Sequence, residues 1–294
     1  MSKKVLEIPA VYIAGSACSG CSVSLLNSVS PNIQNFLIDP VVPGKHVSLK
    51  FHAVIMGGQG EPVIKVLRET ARAKPGEFIL IIDGSIPVAE DGLYCRLGEM
   101  DGKEITMKDM SAELAKDALA VLAVGTCASF GGIPSGSPNP TGATSVRQFL
   151  QDEGIDKPLI NIPGCPPHPD WIVGTVADIL INGLPSADDL DDVLRPKAFF
   201  GKLIHDNCPR RAYFDAGQFA KHPGEPGCLY EIGCKGPVTY ADCPTRMWNN
   251  GVNWCIGAGA QCIGCVEPDF QDRLAPMFRK IDEPALENFK IKTR

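Results

Sequence analysis

The sequence has no apolar run long enough to cross a bilayer, which argues against a membrane-spanning element in this chain. It also lacks a basic tract: 28 Lys and Arg stand against 34 Asp and Glu, for a net charge of −6. With a pI near 5.4, neither nucleic acid nor an anionic membrane surface is an expected partner. No export signal opens the chain, since Lys3 and Lys4 carry charge but Glu7 interrupts before any apolar core. On that ground it reads as cytoplasmic, or as periplasmic if a leader was removed. No phosphate loop follows the first strand pattern, so a flavin is not implied. Internal repeats and low-complexity tracts are absent too.

What the sequence does contain is cysteine: 12 Cys, with 30 Gly and 25 Pro, in 294 residues that are 44% hydrophobic. That apolar content suffices for one large core or two smaller ones. A disulfide framework fits poorly, because the chain is large, carries no export signal and spaces its cysteines in groups. Metal or cluster ligation is the better expectation.

Up to about residue 183, short β-branched runs alternate with helical patterns. The spacing predicts strands over 10–14, 47–56, 78–83, 118–124 and 158–162, and helices over 22–28, 61–73, 111–117, 144–153 and 169–181. Strands that are apolar throughout and alternate with helices predict an α/β fold, a parallel sheet covered on both faces in a flavodoxin-like order. Each strand leads into a loop that carries chemistry. The first runs into Cys18-Ser19-Gly20-Cys21, the third into Asp83-Gly84-Ser85, the fourth into Gly125-Thr126-Cys127 and the fifth into Pro163-Gly164-Cys165-Pro166-Pro167-His168. Ligands of such sheets sit beyond the carboxyl ends of the strands, so Cys18, Cys21, Cys127 and Cys165 can converge there. Around 182–196 the chain turns polar and acidic. The expected division is therefore an α/β domain over 1–183 and an irregular domain over 184–294, too poor in periodic elements to hold itself without metal.

The second half carries two further groups. One is His205, Cys208, Cys228 and Cys234; the other is Cys243, Cys255, Cys262 and Cys265. Spacing alone does not separate zinc from iron, since Cys₄ and Cys₃His sites serve both. Three four-ligand sites in one chain, one on the ligand edge of a sheet, favour iron–sulfur. Eleven cysteines and His205 fill them; Cys95 is left over as a buried free thiol. His46, His52 and His222 read as packed or solvated, and His168 as a neighbour of the first site or of a subunit interface. Trp171, Trp248 and Trp254 read as a dry shell, and Glu267 and Asp269 as solvated or turn-setting.

Together these motifs resemble the small, electron-transferring subunit of nickel–iron hydrogenases over about residues 13–270. The carrying segments are Cys18-Ser19-Gly20-Cys21, Gly125-Thr126-Cys127-Ala128, Pro163-Gly164-Cys165-Pro166-Pro167-His168, His205 with Cys208, Gly233-Cys234-Lys235-Gly236-Pro237 and Cys262-Ile263-Gly264-Cys265. The resemblance implies a proximal [4Fe–4S] cluster on Cys18, Cys21, Cys127 and Cys165, and a distal [4Fe–4S] cluster on His205, Cys208, Cys228 and Cys234. It implies a medial cluster on Cys243, Cys255, Cys262 and Cys265. Many members have proline at the Cys255 position and a [3Fe–4S] medial cluster. Cysteine there completes a [4Fe–4S] ligand set and resembles the nickel–iron–selenium branch. Further implications are a large subunit holding the Ni–Fe centre, an external carrier such as a cytochrome or ferredoxin, and no catalytic residue in this chain. Three other readings stay open at this point: a quinone-linked subunit like that of respiratory complex I, a hydrogen-sensing complex, and a zinc-stabilised binding module.

Overall fold

The computed structural model describes residues 6–39, 43–58, 60–268, 270–271 and 278–281. Contacts divide the chain into two units, Met1–Pro196 and Lys197–Arg294.

The first unit is built on five parallel strands: β1 (Leu6–Ala14), β2 (Lys45–His52), β3 (Ile79–Asp83), β4 (Ala120–Val124) and β5 (Leu159–Ile162). Their order, β2-β1-β3-β4-β5, is that of the flavodoxin-like doubly wound fold. Every residue of β3, β4 and β5 is buried, which explains why these strands read as unbroken apolar runs. The covering helices include α1 (Gly20–Leu26), α2 (Glu61–Ala73), α3 (Met107–Asp117), α4 (Thr126–Phe130), α5 (Val146–Asp152) and α6 (Pro169–Asn182). Pro62 occupies the first turn of α2, whose buried stripe is Val63, Ile64, Leu67 and Ala71, the spacing of one helix face. With Met107, Met110 and Leu114 of α3 they form one core with Val11, Ile13, Leu80, Ile82 and Val121 of the sheet.

Two boundaries differ from expectation for identifiable reasons. α3 begins at Met107 because Thr106 caps it, accepting the Asp109 N–H at 3.0 Å. β2 stops at His52 because its Nδ1 accepts the N–H groups of Val54 (3.1 Å) and Ile55 (3.4 Å), which turns the chain. A charged hairpin, Arg96–Met100 with Lys103–Thr106, was not foreseen.

His52 is 1% exposed and stacks on Tyr12 at 3.9 Å. With Nδ1 accepting, the ring proton sits on Nε2, which is buried without a partner among the described residues. Protonating the ring would break both turn bonds in a desolvated place, and burial lowers its pKa to about 4. Because the unfolded chain binds this proton more readily, stability is lost as pH falls from about 6.5 towards 4, by at most about 3 kcal/mol. The difference in urea midpoint between pH 7 and pH 4.5 should shrink in His52→Asn; an unchanged difference would assign the acid sensitivity elsewhere.

In the second unit the described helices reach at most five residues, at Arg211–Asp215. Among the described residues, pairing there is limited to single bridges such as Leu203 with Tyr240 and Phe219 with Cys228. Much of what the unit buries comes from the segments between these elements, with Leu229, Trp254, Ile256 and Val266 inside.

Candidate metal centres

At the carboxyl edge of the sheet, the loops after β1, β4 and β5 bring Cys18, Cys21, Cys127 and Cys165 close enough for charge on one to disfavour charge on another. The loops are laced together. Thr126 N–H donates to the Gly164 carbonyl at 2.9 Å, and Gly164 N–H returns to Thr126 Oγ1 at 2.9 Å. Ser24 Oγ of α1 donates to the Pro167 carbonyl at 2.6 Å, tying the first cysteine loop to the last. Gly125 precedes Cys127 at φ +89°, and a Cβ there would lie 2.5 Å from Cys21 Sγ. Cys21 is buried, Cys127 half-buried, and Cys18 and Cys165 are exposed. Burial first, then the Cys165 charge, pushes Cys127 up to about 12, and burial followed by Asp83 pushes Cys21 higher still. Cys21 and Cys127, so placed, stay protonated until a positive charge such as a metal compensates the thiolate.

Asp83, at the end of β3, was not singled out as a site residue, although a carboxylate closing an apolar strand was a visible signal. It is 1% exposed and accepts from Tyr12 Oη (3.1 Å) and Ser22 Oγ (3.4 Å). It also contacts Cys21, and burial raises its pKa. His168 caps α6, its Nδ1 accepting the Asp170 N–H at 3.1 Å, with Trp171 packed at 5.8 Å.

In the second unit, His205, Cys208, Cys228 and Cys234 line one recess. The His205 ring meets Phe214 edge-on at 4.6 Å, and its Nε2 is buried with no partner among the described residues. Burial, then Arg211, lowers its pKa, so the ring is held as the neutral imidazole that binds metal. Backbone N–H groups two residues on face the sulfurs: Arg210 to Cys208, Tyr230 to Cys228 and Gly236 to Cys234, the last at 3.4 Å. Burial pushes the Cys234 thiol up to about 11 against these donors.

Cys243, Cys255, Cys262 and Cys265 also come together. Cys243 feels both Cys265 and Cys255, and Cys262 feels Cys265 and Cys243. Burial dominates the upward shift at Cys243 and Cys262, while the Trp248 side chain donates to Cys243 and the Gly264 N–H to Cys262. The two groups of this unit are joined directly: Cys262 N–H donates to Cys234 Sγ, and Lys235 N–H donates to the Cys262 carbonyl at 2.7 Å. Glu267 is buried rather than solvated, its Oε1 accepting the Tyr240 N–H at 2.7 Å. Asp269 lies outside the described residues. Cys95 is half-buried against the core of the first unit. Among the described residues no three His, Cys, Asp or Glu side chains crowd as tightly as a single metal ion requires.

Residues 200–278 match the family described as NiFe/NiFeSe hydrogenase small subunit, C-terminal. The periplasmic [NiFeSe] hydrogenase small subunit of Desulfomicrobium baculatum is 46% identical over 287 residues, covering 95% of this chain and 89% of that one. The chain belongs to the NiFe/NiFeSe hydrogenase small-subunit family. Residues 18–179 also match the NADH ubiquinone oxidoreductase 20 kDa subunit family, so the first unit is of a kind that the two families share. Near full-length similarity decides between them. The periplasmic [NiFe] hydrogenase small subunit 1 of Nitratidesulfovibrio vulgaris is 40% identical, over 91% of this chain and 81% of that one. A crystal structure of the reduced, active Ni–Fe–Se hydrogenase from Desulfomicrobium baculatum superposes with a TM-score of 0.87, over 93% of this chain and 99% of that chain. Hydrogenase small subunits of this family bind iron–sulfur clusters, and the buried thiols, the N–H donors and the unpartnered imidazole fit that group.

Proposed function

We propose that this chain is the electron-relaying small subunit of a heterodimeric hydrogenase, and that it carries three [4Fe–4S] clusters. Cys18, Cys21, Cys127 and Cys165 hold the proximal one; Cys243, Cys255, Cys262 and Cys265 the medial; His205, Cys208, Cys228 and Cys234 the distal. The observation that carries the reading is the recess lined by three thiols, each with a backbone N–H two residues on, and by His205, whose buried Nε2 has no partner among the described residues.

When bound, such clusters supply reversible one-electron storage. Hydrogen is split into two protons and two electrons in the large subunit, so the electrons cross this chain singly. Its own residues keep Cys21, Cys228, Cys234 and Cys262 out of water, donate N–H groups to sulfur and tune the potential at each site. His205 removes one negative charge relative to a fourth thiolate, which raises the distal potential and suits delivery to an external carrier such as a cytochrome or ferredoxin. Around the first site, exposed apolar side chains (Val23 and Leu26 of α1, then Val29 and Ile133) form the surface on which the large subunit docks.

Anaerobic analysis should find about twelve irons and as many labile sulfides per chain, with no zinc. Several zincs and little iron would leave a binding module instead. Cys255→Pro should lower the count to about eleven and raise the medial potential, since a three-iron cluster replaces a four-iron one. A four-iron medial cluster with unchanged potential in that variant would remove Cys255 from the ligand set.

A further inference from the structure

Thr239 is 1% exposed and lies where the last two ligand groups meet. Its carbonyl accepts the N–H of Ile204, which precedes His205, at 2.8 Å. Its hydroxyl donates to the carbonyl of Lys235, which follows Cys234, at 2.7 Å. The same hydroxyl oxygen is 3.8 Å from Cys262 Sγ, the thiol being the donor in that contact.

That last contact cannot survive metal binding. A thiol that ligates iron has lost its proton, so Thr239 Oγ1 would present lone pairs to a thiolate. The hydroxyl has one proton and two acceptors within reach, a neutral carbonyl and an anionic sulfur. A charged acceptor binds a donor roughly twice as strongly as a neutral one. The carbonyl does not need the hydroxyl, because Val238 N–H also donates to Lys235 O at 3.0 Å. Turning one buried rotor therefore relieves a repulsion and leaves no acceptor bare.

We propose that Thr239 is a positioning residue of the medial site: its hydroxyl leaves the Lys235 carbonyl, donates to the iron-bound Cys262 sulfur, and raises the potential at which that site takes up an electron. A donor to sulfur favours the more negative, reduced state, which sets the sign. The inference rests on Cys262 being a cluster ligand.

The test is an anaerobic redox titration of the heterodimer followed by electron paramagnetic resonance, in wild type, Thr239→Val and Thr239→Ser. Thr239→Val keeps the shape and removes the donor. It should keep the full iron content, shift the medial potential downward and leave the proximal and distal potentials in place as internal standards. Thr239→Ser should restore the wild-type medial value. A medial potential equal in all three, at full iron content, overturns the proposal, as does a serine variant that follows valine. Should valine fail to load its medial site, Thr239→Ala against Thr239→Ser gives the same contrast without a methyl group against the sulfur. Wild-type protein without iron at Cys262 would instead overturn the ligand assignment, a separate and earlier failure.

Discussion

Gly125→Ala is expected to yield a folded chain with about eight irons rather than about twelve, and no hydrogen-driven dye reduction. Gly125 sits at φ +89° and ψ 156°, a region essentially only glycine occupies, where an alanine costs about 1–3 kcal/mol, a strain that a large core can absorb. Its Cβ, however, would stand 2.5 Å from Cys21 Sγ, well inside van der Waals contact. Cys21 is held in place, because its own helix α1 is tied to the Pro167 carbonyl through Ser24 and its thiol is hydrogen-bonded with the Asp83 carboxyl. The sulfur is displaced and the proximal set loses its geometry, while the second unit keeps its eight ligands. Gly154→Ala is the control for a positive-φ glycine with room around it: φ is +64° there, with nothing within 4 Å of the added methyl. It should cost some backbone strain of its own and no iron. Equal iron in the two variants would show that Gly125 does not shape a cluster site.

The second large effect concerns assembly. Val23 is 53% and Leu26 40% exposed, three residues apart on one face of α1, the helix that carries Cys21. Replacing both by aspartate would bury two unpaired charges in the contact with the large subunit. At about 2 kcal/mol or more for each such anchor, binding should weaken by on the order of a thousandfold. The large subunit should then no longer co-purify, although the isolated chain still carries its iron. Val252→Asp, at a residue 77% exposed in the second unit, should leave the pair intact. A heterodimer that survives the double change would place the large subunit elsewhere on this chain.

The sheet was legible because Ile79–Asp83, Ala120–Val124 and Leu159–Ile162 are buried on both sides, and a strand with no wet face shows no alternation to misread. The hairpin over Arg96–Thr106 was not, since it is short and charged, with most of its surface in water. The cysteine groups were legible from spacing, for thiols separated by two or three residues have few other uses in such numbers. Their immediate neighbours were not. Asp83, Thr239 and Glu267 reach their partners over 61, 23 and 27 residues of sequence, distances that only the folded chain closes. Lys235 is buried with its ammonium on the Arg279 carbonyl, where sequence alone would put a lysine in solvent.

The tie between Cys234 and Cys262 makes the two groups of the second unit share a wall. A chain that fails to fill one site leaves a sulfur loose, and that sulfur is the acceptor which fixes the backbone of the other. Groups in one hydrogen-bond network respond together rather than additively. An under-loaded preparation would therefore depart from a random mixture of half-filled molecules. If the two groups hold clusters as proposed, their loading is coupled, and chains holding both centres are enriched over chains holding one.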